Sequence, residues 1–373
     1  MDPRIIKLAD NLVNYCLKVK TGDKVLVEAF GATTHLLVEK LIELISKAGG
    51  APFYLIHDNF ISRVQKLSCT MEQMELEAKW QCQRMNDVDC YIGVRGFENV
   101  LEQSDVPAEN LDIYSRTVWN KVHSEIRVPK KRWVILRYPN PCFAQTAKMS
   151  TRAFEDFFFD ACTMDYATFS KDMDPLVTLM NQTDRVHIKG KGTDLTFSIK
   201  NIPAIKCDGL INIPDGEIYT APIKNSINGT SFCNTPTIFE GNLYDGISLK
   251  WKNGQIVAFD CEIGDKAKLE AIFNRDEGAR YVGEFAIGCN PHITREMLDT
   301  LFDEKIAGSF HLTPGSCYDN ASNGNTSRIH WDMVYRQFPE NGGGEIYFDD
   351  VLVRKDGLFV IDALKNLNPK GIR

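Results

Sequence analysis

Carboxylates and imidazoles recur beside turn residues in four segments of the second half of the chain: PDGEIYTAP with Glu217, YVGEFAIGCNP with Glu284, DEKIAGSFH with Glu304 and His311, and SRIHWDMV with His330 and Asp332. These are the donor types that hold a divalent cation. The spacing in SRIHWDMV carries most information. Strand side chains alternate faces, so His330 and Asp332, two apart, project together while Ile329, Trp331 and Met333 fill a buried face. Glu284 precedes the apolar run Phe285-Ala286-Ile287, and His311 follows Gly308-Ser309-Phe310. A carboxylate or imidazole in such a run is costly to bury unless paired or bound to a metal. Each segment also has a plainer reading: His-x-Asp as a hydrogen-bonded surface pair, Glu217 and Glu284 as solvated turn carboxylates. Singly the four segments decide nothing; together they set metal chemistry level with the plainer readings.

The elements that must position these groups fall into two textures. In the first half, Ile5, Leu8, Leu12, Val13 and Cys16 recur at helical spacing, which predicts a helix over 3–19. KVLVEAF, APFYLIHD, CYIGVRG and RWVILRYP read as buried strands, separated by helical stretches near 34–47, 61–86 and 108–125. Strands alternating with helices imply a mostly parallel sheet. Two more helices are expected at 151–164 and 166–181. Beyond them, RVHIKGKGTDLTFSIK and SLKWKNGQIVAFDCEI read as hairpins, the second turning at Asn253-Gly254. Short helices are expected at 264–275 and 294–304, and a last hairpin around Lys355-Asp356-Gly357. The fold class expected is α/β: an N-terminal α/β domain over 1–180 and a β-rich α+β metal-binding domain over 181–373.

Composition removes several function classes. The formal net charge over the 373 residues is −7, without the basic footprint of a nucleic-acid protein. Hydrophobic residues make up 43% and charged residues 25%, which excludes wholesale disorder. The longest apolar runs are far below the ~20 residues that cross a bilayer, so no membrane partner is expected. MDPRIIKLAD lacks the features of a signal peptide, which predicts a cytoplasmic protein. The 11 cysteines form no C-x-x-C pair and read as small buried residues. His35, His57, His123, His187 and His292 have no motif partner. The absence of G-x-S-x-G argues against a serine hydrolase, and the absence of G-x-G-x-x-G and Walker A patterns against a nucleotide enzyme.

The ordered set NIPDGEIYTAP, RYVGEFAIGCNP, FDEKIAGSFHLTPGSCYDN and SRIHWDMV closely resembles the thermophilic-type metalloaminopeptidases, the family of aminopeptidase T, AmpS and PepS. LADNLVNYCLKVKTGDKVLVEAF is similar to that family's opening helix and strand. The resemblance implies Glu217 and Glu284 as ligand glutamates, Glu284 shared between or adjacent to two metals. It implies His311 as the first ligand histidine and His330 with Asp332 as the His-x-Asp pair. Tyr318 is similar to the active-site tyrosine, and Glu304 to a further acidic residue; Glu304 and Glu284 are the candidates for general base. No cysteine belongs to the family's site. The segment between His311 and His330 is shorter than in longer relatives. Implied with the residues are two divalent ions per chain, zinc with cobalt or manganese as alternatives, and a metal-activated water that releases N-terminal residues from short peptides. A homodimer with sites facing an enclosed interior is implied too. The other reading is a non-catalytic peptide- or metal-binding relative that keeps the fold.

Overall fold

The computed structural model describes residues 1–369. The chain divides into two compact units, Met1–Met164 with Gly209–Ile213, and Asp165–Asp208 with the chain from Pro214 onward. In the first unit the four apolar runs form strands β1 (Lys24–Phe30), β2 (Ala51–His57), β3 (Cys90–Arg95) and β4 (Arg132–Arg137). All are parallel, in the order β2-β1-β3-β4, with the two residues Asn212–Ile213 added beside β4. The expected α/β class and parallel sheet are therefore present. The long helix expected over 61–86 is two helices, Asn59–Ser68 and Met71–Asp87. Thr70 breaks it: its hydroxyl accepts from the Gln73 backbone while the Gln73 side chain accepts from the Thr70 N–H, a capping box that starts the second helix afresh. Met74, Ala78 and Met85 of that helix pack with Leu26, Tyr91, Val118, Val122 and Ile126. Burial of each large aliphatic chain contributes about 1.5–3 kcal/mol.

One carboxylate sits inside this apolar layer. Glu28, on β1, accepts from His57 Nε2 at 2.8 Å and from the Tyr91 hydroxyl at 2.5 Å. Burial acts to raise its pKa, but the His57 hydrogen bond, the Arg95 charge and Tyr91 outweigh it and hold the carboxyl at about 2, against an ordinary 4.5. A depressed carboxyl contributes stability above its unfolded pKa and loses it as pH falls toward the folded value. The wild-type chain is expected to lose about 3 kcal/mol through this group between roughly pH 4.5 and 2, whereas Glu28→Gln starts less stable and is flatter over that window. Urea midpoints measured across the window check this; equal slopes would remove Glu28 from the account of acid lability.

The second unit holds an eight-stranded antiparallel sheet and a smaller five-stranded one. In the larger sheet, Ile247–Lys252 and Gln255–Asp260 turn at Asn253 (φ 50°) and Gly254 (φ 82°), both left-handed as a two-residue I′ turn needs. A Cβ on Gly254 would meet the Lys224 carbonyl oxygen at 1.8 Å. The expected hairpin around Lys355-Asp356-Gly357 is present, Val351–Lys355 pairing with Leu358–Phe359, but the C-terminal segment holds a further turn before it. It makes two successive turns, the first at Asp349-Asp350, both with positive φ, joining Gly344–Phe348 to Val351–Lys355. Asp349 stabilises that turn by accepting from the Arg185 backbone N–H at 2.7 Å, a long-range contact invisible in local sequence. The helix expected at 294–304 shrinks to Thr300–Asp303, started by the Asp299 carboxylate.

The five-stranded sheet is antiparallel, built from β5 (Ile205–Cys207), β6 (Glu217–Thr220), β7 (Val282–Gly288), β8 (Ser309–Pro314) and β9 (Met333–Arg336), in the order β9-β8-β7-β6-β5. Every residue of β7 and β8 is buried, so both faces are covered. One face is aromatic: Phe310 stacks on Tyr335 at 4.6 Å, and Phe285 meets Phe197 of the larger sheet edge-on at 4.9 Å. Alternation sends Glu284 and His311 to the other face. No helix among the described residues is long and apolar enough to cross a membrane, and the cysteines are free thiols.

Candidate metal centre

The small sheet supplies donors strand by strand: Cys207 on β5, Glu217 on β6, Glu284 on β7, His311 on β8, and His330 with Asp332 on the lead-in to β9. His330 and Asp332 are not within a strand. His330 makes one isolated bridge to Gly315, and β9 begins only at Met333. The alternation survives because the lead-in is extended: Ile329, Trp331 and Met333 are 3%, 2% and 0% exposed. Trp331 anchors it, stacked on Phe239 at 4.5 Å and tilted against Tyr244 at 5.2 Å.

These placements converge. His311 Nε2 lies 3.0 Å from Glu284 Oε1 and 3.6 Å from Glu217 Oε2. His330 Nε2 lies 3.4 Å from both Glu284 Oε2 and Asp332 Oδ1. Two donor triads result, Glu217–Glu284–His311 and Glu284–His330–Asp332, each with ligand atoms within 4.8 Å of one another, and Glu284 belongs to both. Glu217 Oε2, Glu284 Oε2 and His311 Nδ1 are buried without a hydrogen-bond partner. Buried carboxylate oxygens are costly to leave unsatisfied, and a cation beside Glu217 and Glu284 removes that cost, so the donor set fits divalent metal.

Outer contacts fix the donors. His330 Nδ1 donates to the Ser316 carbonyl at 2.8 Å, which leaves Nε2 free to ligate, and the Thr313 hydroxyl donates to Asp332 Oδ1 at 2.7 Å. The register of β7 against β8 slips between Val282 and Glu284, a bulge of the kind that re-aims a side chain. Gly283 permits it, because a Cβ there would lie 2.3 Å from the Ser316 carbonyl oxygen. Burial would raise the Glu284 carboxyl, but His311 and His330 outweigh burial and hold it below the usual range. Both imidazoles are raised in turn: burial opposes protonation, and the carboxylates overcome it.

Glu304 joins the group through its neighbour. Lys305, 1% exposed, donates to Glu217 Oε1 at 2.5 Å and to Glu304 Oε1 at 2.6 Å, with Asp215 Oδ1 3.5 Å away. Burial pushes the Glu304 carboxyl well above its ordinary range, with Lys305 opposing and Glu217 reinforcing. Tyr318 is 48% exposed, its ring 4.9 Å from His330 and 5.3 Å from Tyr219. The structure thus gathers all seven residues singled out in the sequence. Lys305 and Asp215 were not singled out. Both lie inside the quoted segments, Lys305 directly after Glu304 and Asp215 two before Glu217, and a lysine next to apolar Ile306-Ala307 was the available signal. The Cys207 thiol also reaches Asp215 and Glu217, although no cysteine was expected there.

The model of the thermophilic metalloprotease (M29) family matches residues 1–340. The chain belongs to this family. Among the relatives of this M29 chain, aminopeptidase 2 of Geobacillus stearothermophilus is 39% identical over 166 residues, which cover 39% of this chain and 37% of that protein. Aminopeptidase T of Thermus aquaticus is 30% identical over 175 residues, 43% of this chain and 40% of that protein. The chain thus spans, in these matches, about two fifths of the length of the curated relatives. Among solved structures, wild-type AmpT from Thermus thermophilus superposes with a TM-score of 0.80 at 20% identity, covering 96% of this chain and 99% of that one. The 2,5-dihydroxypyridine dioxygenase from Pseudomonas putida KT2440 superposes with a TM-score of 0.61 at 12% identity, covering 96% and 98%. At those identities the likeness is one of fold, and a fold shared with both AmpT and a dioxygenase does not select a reaction.

Proposed function

We propose that the chain is a metal-dependent aminopeptidase that releases N-terminal residues from short peptides at a two-ion centre held by Glu217, Glu284, His311, His330 and Asp332. The observation that carries this reading is Glu284, which turns one oxygen toward each imidazole and is common to both donor triads. Divalent ions bound there supply an acidified water and a polarised scissile carbonyl. The chain's own groups do the rest. His330, held by the Ser316 carbonyl, and Asp332, held by Thr313, keep fixed directions. Glu304, whose Oε1 accepts from Lys305 at 2.6 Å, and Glu284 are the two candidates to take up and hand on a proton. Tyr318, half-exposed beside His330, offers its hydroxyl to the developing oxyanion. Mixed imidazole and carboxylate donors suit zinc, with cobalt or manganese as alternatives. The resemblance to aminopeptidase T, AmpS and PepS supports the peptide substrate and a homodimer.

The test starts from chain stripped with a chelator and assayed on Leu-p-nitroanilide and its N-acetyl derivative. Hydrolysis is expected to vanish without metal, return with zinc, cobalt or manganese, and spare the acetylated compound. Metal and peptide binding without turnover would instead identify the non-catalytic relative. In the same assay Tyr318→Phe is expected to lower kcat about 10²–10³-fold, with bound metal unchanged; loss of metal would make Tyr318 structural.

A further inference from the structure

Lys305 is a full-length cation enclosed in protein. Its side chain is 1% exposed, and its ammonium donates to Glu217 Oε1 (2.5 Å) and Glu304 Oε1 (2.6 Å), with Asp215 Oδ1 3.5 Å away. Of those carboxylates Glu217 and Asp215 are buried, at 7% and 2% side-chain exposure, and Glu304 is partly buried at 14%. The surroundings have the composition of a third ligand set: Cys207, Asp215 and Glu217 each offer a donor atom within 4.8 Å of the others, beside the two triads already described. The elements are rigid there. Cys207 and Glu217 face each other across β5 and β6, and the Asp215 segment is held by its backbone N–H, which donates to the Tyr166 hydroxyl oxygen, and by its carbonyl, which accepts from Asn290 Nδ2.

We propose that the Lys305 ammonium is a built-in cation standing in a divalent-ion position formed by Asp215, Glu217, Glu304 and the Cys207 thiol, so that the lysine sets how many ions the chain binds. An ion at the usual ~2.0–2.2 Å from carboxylate oxygens would share Glu217 Oε1 with the ammonium, and the two like charges would repel strongly in so buried a place. The lysine and an ion at this position therefore exclude each other. The ammonium also ties down Glu217 Oε1, which leaves the partnerless Oε2 directed at His311 and the neighbouring triad. The inference rests on the metal-centre reading only in sharing Glu217 and Glu304 with it, and the two fail separately.

The experiment counts ions. Metal-free wild type, Lys305→Ala and Lys305→Asn are titrated with zinc by calorimetry, and bound zinc is measured after desalting. Lys305→Asn keeps a donor for the carboxylates and serves if Lys305→Ala does not fold. Each variant is expected to bind one more zinc per chain than wild type. Loaded with cobalt, each variant should show thiolate-to-cobalt charge-transfer absorption that wild type lacks and that Cys207→Ser in the same background removes. A zinc count equal to or below that of wild type in the folded variants overturns the proposal. A wild-type count of zero would defeat the metal-centre reading instead, while the difference between variant and wild type still decides the role of Lys305.

Discussion

Glu284→Gln is expected to empty both triads and to lower kcat/KM on Leu-p-nitroanilide by at least ~10³, beyond the 10–100-fold that loss of an outer partner costs a metal site. The variant keeps the size of the side chain and changes only what its oxygens do. In the native chain one oxygen is 3.0 Å from His311 and the other 3.4 Å from His330, so a single carboxylate serves two imidazoles at once. An amide offers one acceptor in place of two and turns an N–H₂ toward a cation position or an imidazole. The negative charge that the two raised imidazoles share is lost as well. Elemental analysis beside the kinetics checks the outcome, with circular dichroism to confirm the fold. A variant that keeps the wild-type metal content would show that the triads do not share Glu284.

Trp331→Ala is expected to destabilise the chain by about 3–5 kcal/mol and to weaken metal binding without touching a donor. Trp331 lies between His330 and Asp332 in sequence and opposite them in space. It is 2% exposed, stacked on Phe239, tilted on Tyr244, and donates from Nε1 to Thr237 at 3.3 Å. Because His330 and Asp332 lie outside β9, backbone hydrogen bonds hold them only at the one bridge, from Trp331 to Pro314 at 3.1 Å and from Ser316 to Ile329 at 2.8 Å. The ring supplies the rest of the anchoring, and a cavity in its place loosens the lead-in. Trp331→Phe, which refills most of the space, is expected to restore metal binding while recovering only part of the stability. Urea midpoints and zinc titrations read the two effects separately. A destabilised Trp331→Ala with native zinc affinity would show that the pair is positioned from elsewhere.

The parallel strands of the first unit were legible from their apolar runs: KVLVEAF and CYIGVR are buried almost throughout, whereas APFYLIH, expected as a buried strand, is an edge strand with no buried residue in this chain, because an apolar run reads the same at the centre and at the edge of a sheet. The break at Thr70 was legible in principle, since Thr-x-x-Gln is a local signature, but the apolar periodicity continues across it and hides it. The turn at Asp349-Asp350 leans on the distant Arg185 backbone, which local sequence does not show, whereas the start of the short helix at Thr300 had a local signal in its Asp299 cap.

The sequence by itself determined which residue types are available as donors, and the alternation that puts His330 and Asp332 on one side of an extended chain; both are properties of neighbours along the backbone. Tertiary structure alone decided that Glu217, Glu284 and His311, each more than twenty residues from the next, sit on neighbouring strands of one sheet. It also decided that Lys305 turns inward among carboxylates and not outward to water. The reason is physical: burial and charge pairing are set by whatever the fold brings alongside a side chain, and a lysine after a glutamate reads the same in sequence whether solvent or three carboxylates surround it.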